Sequence, residues 1–341
     1  MPLFIGVDVG GTKVLAAAVS TSGRLVRTAR RSTPGRSVDA SVVEDALTEA
    51  VRDVARGRRV DGVGIAAAGF VDAAGERVMF APHLPFRGEE VRARLMERWA
   101  TTVVLDNDAN CTARAECTYG AARGASDVIV VTLGTGIGGA VVIDGQVHRG
   151  SNGMAGEFGH MQVVPDGLPC ECGGRGCWEQ YSSGNALARF ARTRLEGSTM
   201  LRELCQGDPD QLTGPMVTTA AEAGDASALE AFVSVGSWLG VGLANLVAAF
   251  DPDVVVVGGG VSAAGDLLLD PARVALGESL VGAGHRVVPP VLMATLGPEA
   301  GAVGAADLAR TRVRGEGRWV RSGGTRGRAR RRAARGTAPH R

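Results

Sequence analysis

The chain has 341 residues, of which 45% are hydrophobic, 4% are aromatic and 50 are glycine. This length and composition exclude a disordered chain and favour an α/β protein of two domains with tight turns between strands and loops. The net charge of +1 hides an asymmetry, because eleven arginines and one acidic residue follow position 310, which leaves 26 basic and 35 acidic residues before it. Because the segment 311–341 has few apolar residues to bury, we expect a disordered basic tail. Contact with nucleic acid or another anionic partner is the less favoured alternative.

The N-terminus predicts two strands around a glycine turn and no secretory signal. MPLFIGVDVGG lacks the charged, apolar and cleavage regions of a signal peptide, so we expect a cytoplasmic protein. Residues 3–9 and 14–20 are strand-like, with GGTK between them. Asp8 ends the first strand, where its carboxylate can hold magnesium or a water of its shell, while Thr12 and Lys13 can point at phosphate. Lys13 is the only lysine in the chain.

The next predicted elements are a helix, two buried strands and another helix. Apolar residues at helical spacing indicate a helix over 41–55, and strands are indicated at 60–69 and 101–108. Since the residues after Asp108 read as helical, its carboxylate lies near a helix N-terminus, whose partial positive charge is expected to keep it ionised. From this position alone, a plain N-cap role for Asp108 is possible.

A second unit of strand, glycine turn and strand occupies residues 127–145, DVIVVTLGTGIGGAVVIDG. LGTGIGG alone is as typical of an ordinary tight turn as of a phosphate site. Two such units, however, would bring two sets of backbone N–H groups together across a cleft, where they can bind phosphate oxygens. A third glycine run, VVVVGGGVS (254–262), indicates either a platform for a nucleotide base and ribose or a buried strand that ends in a turn. None of these runs reads as the dinucleotide-binding G-x-G-x-x-G that leads into a helix.

Residues 231–250, AFVSVGSWLGVGLANLVAAF, carry no charge and are long enough to span a bilayer. The stretch contains Ser234, Ser237 and Asn245 and has acidic rather than basic flanks. We therefore predict a central core helix and no membrane association.

Three of the six cysteines fall within eight positions as C-x-C-x4-C, at Cys170, Cys172 and Cys177, with His160 ten residues earlier. A reducing cytosol disfavours disulfides, so metal binding or catalysis remains. The glycines between the cysteines would let the chain wrap around one ion. The other three, Cys111, Cys117 and Cys205, are predicted to be buried small residues.

Five motifs together resemble the ROK family of sugar kinases: DVGGTK (8–13), DNDAN (106–110), LGTGIGG (133–139), GEFGH (156–160) and CECGGRGCWE (170–179). The resemblance runs from about residue 3 to 310 and closes with LGPEAGAVGAADLA. It implies an actin-like ATPase (ribonuclease H-like) α/β fold with two domains and a cleft between them. The implied domains are 1–107 plus 298–310, whose last helix returns to the N-terminal domain, and 108–297, with the tail 311–341 outside the family.

The resemblance also implies residue roles. Asp108 would be the catalytic base, and Asp106 would be a supporting residue at the strand end. His160, Cys170, Cys172 and Cys177 would hold a structural zinc ion in a closed tetrahedral site. The implied sugar ligands are Gly69, Asn107, Asp108, Glu157, His160 and Glu179, with His160 using one ring nitrogen for zinc and the other for the sugar. The implied nucleotide site comprises Asp8, Gly10, Gly11, Thr12, Lys13, Gly134, Thr135, Gly136, Gly138, Gly259 and Gly260.

The implied activity is phosphorylation of glucose to glucose 6-phosphate by ATP with magnesium, in a homodimer or homotetramer. Fructose, mannose or N-acetylhexosamine as the substrate, and a sugar-responsive ROK regulator, are the alternatives. The regulators carry a DNA-binding helix-turn-helix before the phosphate turn, and here seven residues precede Asp8, so an enzyme is favoured. The cysteine cluster favours ATP over polyphosphate as the phosphoryl donor.

Overall fold

The computed structural model describes residues 2–315; Met1 and the predicted tail beyond Gly315 lie outside the described residues. The described chain alternates between strands and helices in two successive blocks. The strands are β1 Phe4–Val9, β2 Lys13–Val19, β3 Leu25–Ser32, β4 Gly62–Ala67, β5 Phe70–Val71, β6 Val78–Phe80, β7 Thr102–Asn107, β8 Val128–Leu133, β9 Ile137–Ile143, β10 Gln146–His148, β11 Val254–Gly258 and β12 Val291–Met293. The helices are α1 Ala40–Ala55, α2 Val91–Trp99, α3 Asp108–Tyr119, α4 Gly184–Arg192, α5 Thr199–Leu204, α6 Gly214–Glu222, α7 Ala226–Phe250, α8 Asp266–Ser279 and α9 Ala300–Arg314.

The first sheet has the strand order β3-β2-β1-β4-β7, in which β1, β4 and β7 are parallel and β2 and β3 are antiparallel. Helix α1 covers one face and α9 covers the other. Two glycines allow α9 to approach closely, because a Cβ at Gly6 would lie 1.7 Å from the carbonyl oxygen of Ala302, and one at Gly64 would lie 1.8 Å from that of Ala305. The predicted return of the last helix to the N-terminal sheet is confirmed.

The second sheet repeats this arrangement with the order β10-β9-β8-β11-β12, in which β8, β11 and β12 are parallel and β9 and β10 are antiparallel. Helix α3 packs on one face, and α4, α7 and α8 form a larger core on the other. The two predicted strand–turn–strand units are therefore β1–β2 and β8–β9, at equivalent positions of two similar sheets.

Helix α7 confirms the predicted core helix. By length and composition it is the one helix of residues 2–315 that could cross a membrane, but 61% of its most apolar stretch is buried inside the protein. Gly236 and Gly240 bring it against α8, since a Cβ at Gly240 would lie 2.3 Å from the carbonyl oxygen of Ala272. This packing is typical of the core helix of a globular protein.

Helix α9 extends beyond the predicted domain end at residue 310. It continues to Arg314, and Thr311 is buried with its hydroxyl accepting a hydrogen bond of 2.8 Å from Arg114 of α3. Arg114 also forms a buried ion pair of 2.7 Å with Asp307. The predicted tail boundary at 311 is therefore wrong, because these contacts hold the last turn of the helix in the fold.

Candidate functional site

The first glycine turn, between β1 and β2, is closed by backbone contacts. The Gly10 N–H donates to the Lys13 carbonyl oxygen (3.0 Å), and the Thr33 hydroxyl donates to the Gly10 carbonyl oxygen (2.7 Å). A Cβ at Gly11 would lie 2.5 Å from the His83 side chain, so this position requires glycine. Gly11, Thr12 and Lys13 are at least partly exposed, which leaves the outer edge of the turn open to a ligand.

Asp8 lies at the base of this turn, beneath the start of α9. A Cβ at Gly301 would come within 3.2 Å of its carboxylate, so the helix approaches it closely. The pKa of Asp8 is raised to about 7, chiefly by burial and then by the charge of Asp108, while Lys13 opposes the shift. The two predicted acidic residues therefore lie within electrostatic reach of each other, and Asp8 changes charge near neutral pH.

Asn107 and Asp108 form the junction of β7 and α3. Asn107 is the N-cap: its Oδ1 accepts hydrogen bonds from the N–H groups of Ala109 (2.8 Å) and Asn110 (3.2 Å), and its Nδ2 donates to the Gly69 carbonyl oxygen (3.0 Å). Gly69 has φ +141°, and a Cβ there would collide with Phe80. The N-cap role considered for Asp108 thus belongs to Asn107.

Asp108 is the first residue of α3, as predicted, and its Oδ1 accepts a hydrogen bond from the Ala109 N–H (2.9 Å). Burial raises the pKa of Asp108, and the hydrogen bonds from backbone N–H groups and from Asn107 lower it only in part. Desolvation therefore affects the pKa of Asp108 more than the hydrogen bonds at the helix start do. A carboxylate with a raised pKa is a better proton acceptor once it is ionised.

The second glycine turn, between β8 and β9, contacts two segments from elsewhere in the chain. The Gly134 N–H donates to the Gly136 carbonyl oxygen (2.9 Å), and the Gly184 N–H, at the start of α4, donates to the Gly134 carbonyl oxygen (2.8 Å). The Thr135 carbonyl oxygen accepts from the Asn185 N–H (3.4 Å). Gly138 faces the Thr132 hydroxyl, which a Cβ there would approach to 2.7 Å.

The N-terminus of α4 was not among the predicted nucleotide elements. Ser183 caps it by accepting from the Ala186 N–H (3.1 Å). A serine before a helical pattern is an N-cap signature, so this helix start was detectable in the sequence, but its position beside the glycine turn depends on the tertiary fold.

The third glycine run follows β11 and borders the same turn. Gly259 has φ +87°, and a Cβ there would lie 2.3 Å from the Leu133 carbonyl oxygen. Gly260 has no atom within 4 Å of the position a Cβ would take, and it is exposed. Gly259 therefore packs against the end of β8, while Gly260 offers an open backbone surface.

The cysteine-rich loop brings its four predicted metal ligands together. The ligand atoms of His160, Cys170, Cys172 and Cys177 all lie within 4.8 Å of one another. The sulfurs of Cys172 and Cys177 are 3.6 Å apart, and His160 Nδ1 is 3.7 Å from the Cys170 sulfur, which leaves Nε2 for another partner. Four N and S donors this close are the donor set of a structural zinc site.

Trp178, directly after the ligand Cys177, fixes this loop to the core. Its side chain is fully buried, and its Nε1 donates to the Trp238 carbonyl oxygen in α7 (2.7 Å). A Cβ at Gly242 would lie 2.0 Å from the indole ring, so the helix accommodates the ring only because residue 242 has no side chain. Three consecutive residues thus have different roles: Cys177 is a candidate metal ligand, Trp178 anchors the loop in the core, and Glu179 is the predicted sugar-binding carboxylate.

The two predicted sugar-binding glutamates differ in their surroundings. Glu179 accepts a hydrogen bond of 2.8 Å from the Ile137 N–H, and its carboxylate occupies the space where a side chain at Gly136 would lie. Glu157 is exposed at the surface of the loop, yet desolvation raises its pKa, with further upward contributions from Asp108 and Glu179 and an opposing one from His160. These effects show that Glu157, Glu179, His160 and Asp108 share one region.

Asp106 is a buried residue near the end of β7, as predicted. Its Oδ1 accepts from the Asn107 N–H (2.9 Å) and from Asn110 Nδ2 (3.0 Å), and Arg149 Nε lies 3.1 Å from Oδ2. Arg149 was not identified from the sequence, because nothing near it in the chain indicates a partner 43 residues away.

The chain belongs to the ROK family, whose model matches residues 4–312. It is 43% identical over 314 residues to a glucokinase of Streptomyces coelicolor, covering 91% of this chain and 98% of the relative. It is 36% identical over 315 residues to a glucokinase of Halalkalibacterium halodurans, covering 88% of this chain and 93% of that relative.

Among solved structures, a ROK family glucokinase from Streptomyces griseus in complex with glucose and AMPPNP matches with a TM-score of 0.83 and 45% identity, covering 91% of this chain and 99% of that one. Together with the repeated sheet topology, this match confirms the predicted actin-like ATPase fold.

Proposed function

We propose that this protein is an ATP-dependent glucokinase that transfers the γ-phosphoryl group of ATP to the 6-hydroxyl of glucose. The observation that carries the proposal is the convergence of two phosphate-sized glycine turns and a partly buried carboxylate, Asp108, on one region that also contains Glu157 and His160. The glucokinase relatives match over nearly their whole lengths, which supports the same activity.

In this proposal the sugar lies between Asp108 and the loop of Glu157, His160 and Glu179. Asp108 accepts the proton of the 6-hydroxyl as that oxygen attacks the γ-phosphorus, and Asn107 holds the helix start that positions it. Each glutamate can accept hydrogen bonds from two adjacent sugar hydroxyls. Gly69, whose carbonyl holds the Asn107 amide, completes the sugar side.

The nucleotide lies against the two glycine turns. The backbone of the first turn, at Gly10, Gly11 and Thr12, and that of the second, at Gly134, Thr135, Gly136 and Gly138, border the phosphates. Lys13 adds a positive charge, and Gly259 and Gly260 support the nucleoside. Magnesium bound with ATP would supply positive charge against the phosphoryl oxygens. The half-buried carboxylate of Asp8 has the oxygen donors that this ion prefers.

Zinc is proposed as the occupant of the cysteine-rich loop. Zn–S bonds of about 2.3 Å in a tetrahedral site place neighbouring ligand atoms roughly 3.8 Å apart. The distances of 3.6 Å between Cys172 and Cys177 and 3.7 Å between His160 and Cys170 fit this spacing. With four protein ligands the site is closed, so we assign it a structural role in holding Glu157 and Glu179.

The proposal includes the domain division, the assembly and the location expected from the sequence. The first domain comprises residues 1–107 plus 298–310, which we now extend to the end of α9 at Arg314. The second comprises 108–297, and the cleft between them holds the substrates. We further propose a cytoplasmic homodimer or homotetramer. A sugar-responsive regulator, or a kinase for fructose, mannose or N-acetylhexosamine, is the alternative that experiment must exclude.

Initial rates with glucose, fructose, mannose and N-acetylglucosamine, each with ATP and magnesium, test the proposed function. We expect glucose to give the highest kcat/KM and glucose 6-phosphate as the product. A higher kcat/KM for another sugar would reassign the substrate. Sugar binding with no phosphorylation of any sugar would contradict the enzyme and favour a regulator.

A further inference from the structure

The end of β7 and the end of β10 are joined by an ion pair that the proposed chemistry does not use. Both strands are edge strands, β7 of the first sheet and β10 of the second. Asp106 lies on β7, and Arg149 directly follows β10. The pair therefore connects the edges of the two sheets.

The ion pair between Asp106 and Arg149 is partly buried and involves two nitrogens of the guanidinium. Asp106 is 3% exposed, and the Arg149 side chain is 30% exposed. Arg149 Nε lies 3.1 Å from Asp106 Oδ2 and 3.3 Å from Oδ1, and Nη2 donates to Oδ2 as well. A guanidinium that donates to a carboxylate from two nitrogens fixes both the distance and the relative orientation of the two side chains, whereas a lysine ammonium fixes only the distance.

Each partner is followed in the chain by a proposed site residue. The Asp106 carboxylate accepts a hydrogen bond from the backbone N–H of Asn107, and Asp108 follows Asn107 in the chain. The Arg149 carbonyl oxygen accepts a hydrogen bond from the Ala155 N–H (3.0 Å), which folds back the loop that ends at Glu157. The pair thus sets how the start of α3 lies relative to the loop that carries Glu157.

We propose that Arg149, through Asp106, is a positioning residue that aligns the Asp108 carboxylate with the sugar held by the loop of Glu157. This inference rests on the proposed function. A misplacement of about 1 Å of a reacting group can lower the rate about 100-fold while ground-state binding changes much less. The predicted signature is therefore a loss in kcat larger than the loss in glucose affinity.

The test compares four variants: Arg149→Met, Arg149→Lys, Asp106→Asn and the Arg149→Met/Asp106→Asn double variant. We expect Arg149→Met to lower kcat about 10- to 100-fold with less than about a fivefold change in glucose Kd. Arg149→Lys should recover part of the loss, since it keeps the charge without the fork. The double variant should lose no more than the worse single variant, because both changes break one contact.

Arg94→Met is the matched control. Arg94 of α2 pairs with Glu44 of α1, and their side chains are 42% and 8% exposed, so the variant also removes an arginine from a buried carboxylate, but away from the site. It should leave kcat unchanged. Equal kcat in Arg149→Met and the control, or multiplicative losses in the double variant, would overturn the positioning role.

Where Arg149→Met does not fold, Arg149→Lys decides the question: kcat within twofold of wild type and an unchanged Kd contradict the proposal. Failure of the proposed function is a separate result, because then the wild-type protein itself would form no glucose 6-phosphate.

Discussion

Asp108 is the residue on which the proposed chemistry depends most directly. Asp108→Asn keeps the size and one hydrogen-bond acceptor but cannot take a proton. We expect kcat to fall roughly 10²- to 10⁴-fold, the usual contribution of a general base. Glucose Kd, measured by calorimetry, should change little, because Glu157, His160 and Glu179 remain. A kcat within threefold of wild type would leave Asp108 with a purely structural role.

Asp8 gives a prediction about pH. Its pKa is raised from 3.8 to about 7, so the folded protein holds this proton more tightly than the unfolded chain. Ionisation of Asp8 therefore lowers the free energy of unfolding increasingly as the pH rises from about 4 to about 7, and this loss reaches its full value above pH 7. Asp8→Asn removes this cost, so it should raise Tm more at pH 8 than at pH 5 in the absence of ligands. Equal shifts in Tm at the two pH values would contradict the raised pKa.

The cysteine-rich loop is the element whose metal content can be measured. Protein purified without added zinc should contain about one zinc per chain, as four protein ligands imply. Cys172→Ser should lose the metal and raise glucose KM, because the same loop carries Glu157 and Glu179. Cys205→Ala, at a buried cysteine outside the loop, should keep the metal. A metal-free wild-type preparation with full activity would contradict the assignment.

Helix α7 accommodates the Trp178 ring because Gly242 has no side chain, and Trp178 in turn holds the loop that carries Glu179. Gly242→Ala would place a methyl group 2.0 Å from the indole ring, so we expect a loss of about 1–3 kcal/mol in stability and a higher glucose KM, since Glu179 adjoins Trp178. Gly277→Ala on α8 is the matched control: no atom lies within 4 Å, and stability should be unchanged or rise by up to about 1 kcal/mol. Thermal unfolding of both variants checks this; a Gly242→Ala protein as stable as the control would mean that the ring moves freely.

For the whole molecule, the described fold ends at Gly315, where α9 is capped. Deleting residues 316–341 should leave the ATP and glucose kinetics unchanged, because the helix and its contacts with α3 remain. A large loss of activity would give the segment a role in the enzyme. Salt-sensitive DNA binding by the full chain, absent from the shortened one, would support the nucleic-acid alternative.

The parts that the sequence predicted are those encoded locally. The strands around both glycine turns, α1, α3 and α7 follow from alternation and helical spacing over a few residues, and the loop of cysteines from its own spacing. Arg149, the start of α4 beside Gly134 and the last turn of α9 depend on partners far along the chain, so local patterns could not place them. The desolvation that raises the pKa of Asp108 likewise comes from the tertiary fold, so local sequence patterns could not predict it.

The return of α9 to the first sheet has a consequence for how the chain emerges from the ribosome. The last strand of the first sheet, β7, ends at Asn107, but α9, which packs against that sheet at Gly6 and Gly64, begins only at Ala300. At 5–20 residues per second, one face of the N-terminal sheet stays bare for roughly 10 to 40 s. The second sheet and its helices are complete in the nascent chain by Met293. The later-made half can therefore complete its sheet before the earlier-made half, whose α9 face stays exposed until the last helix has been synthesised.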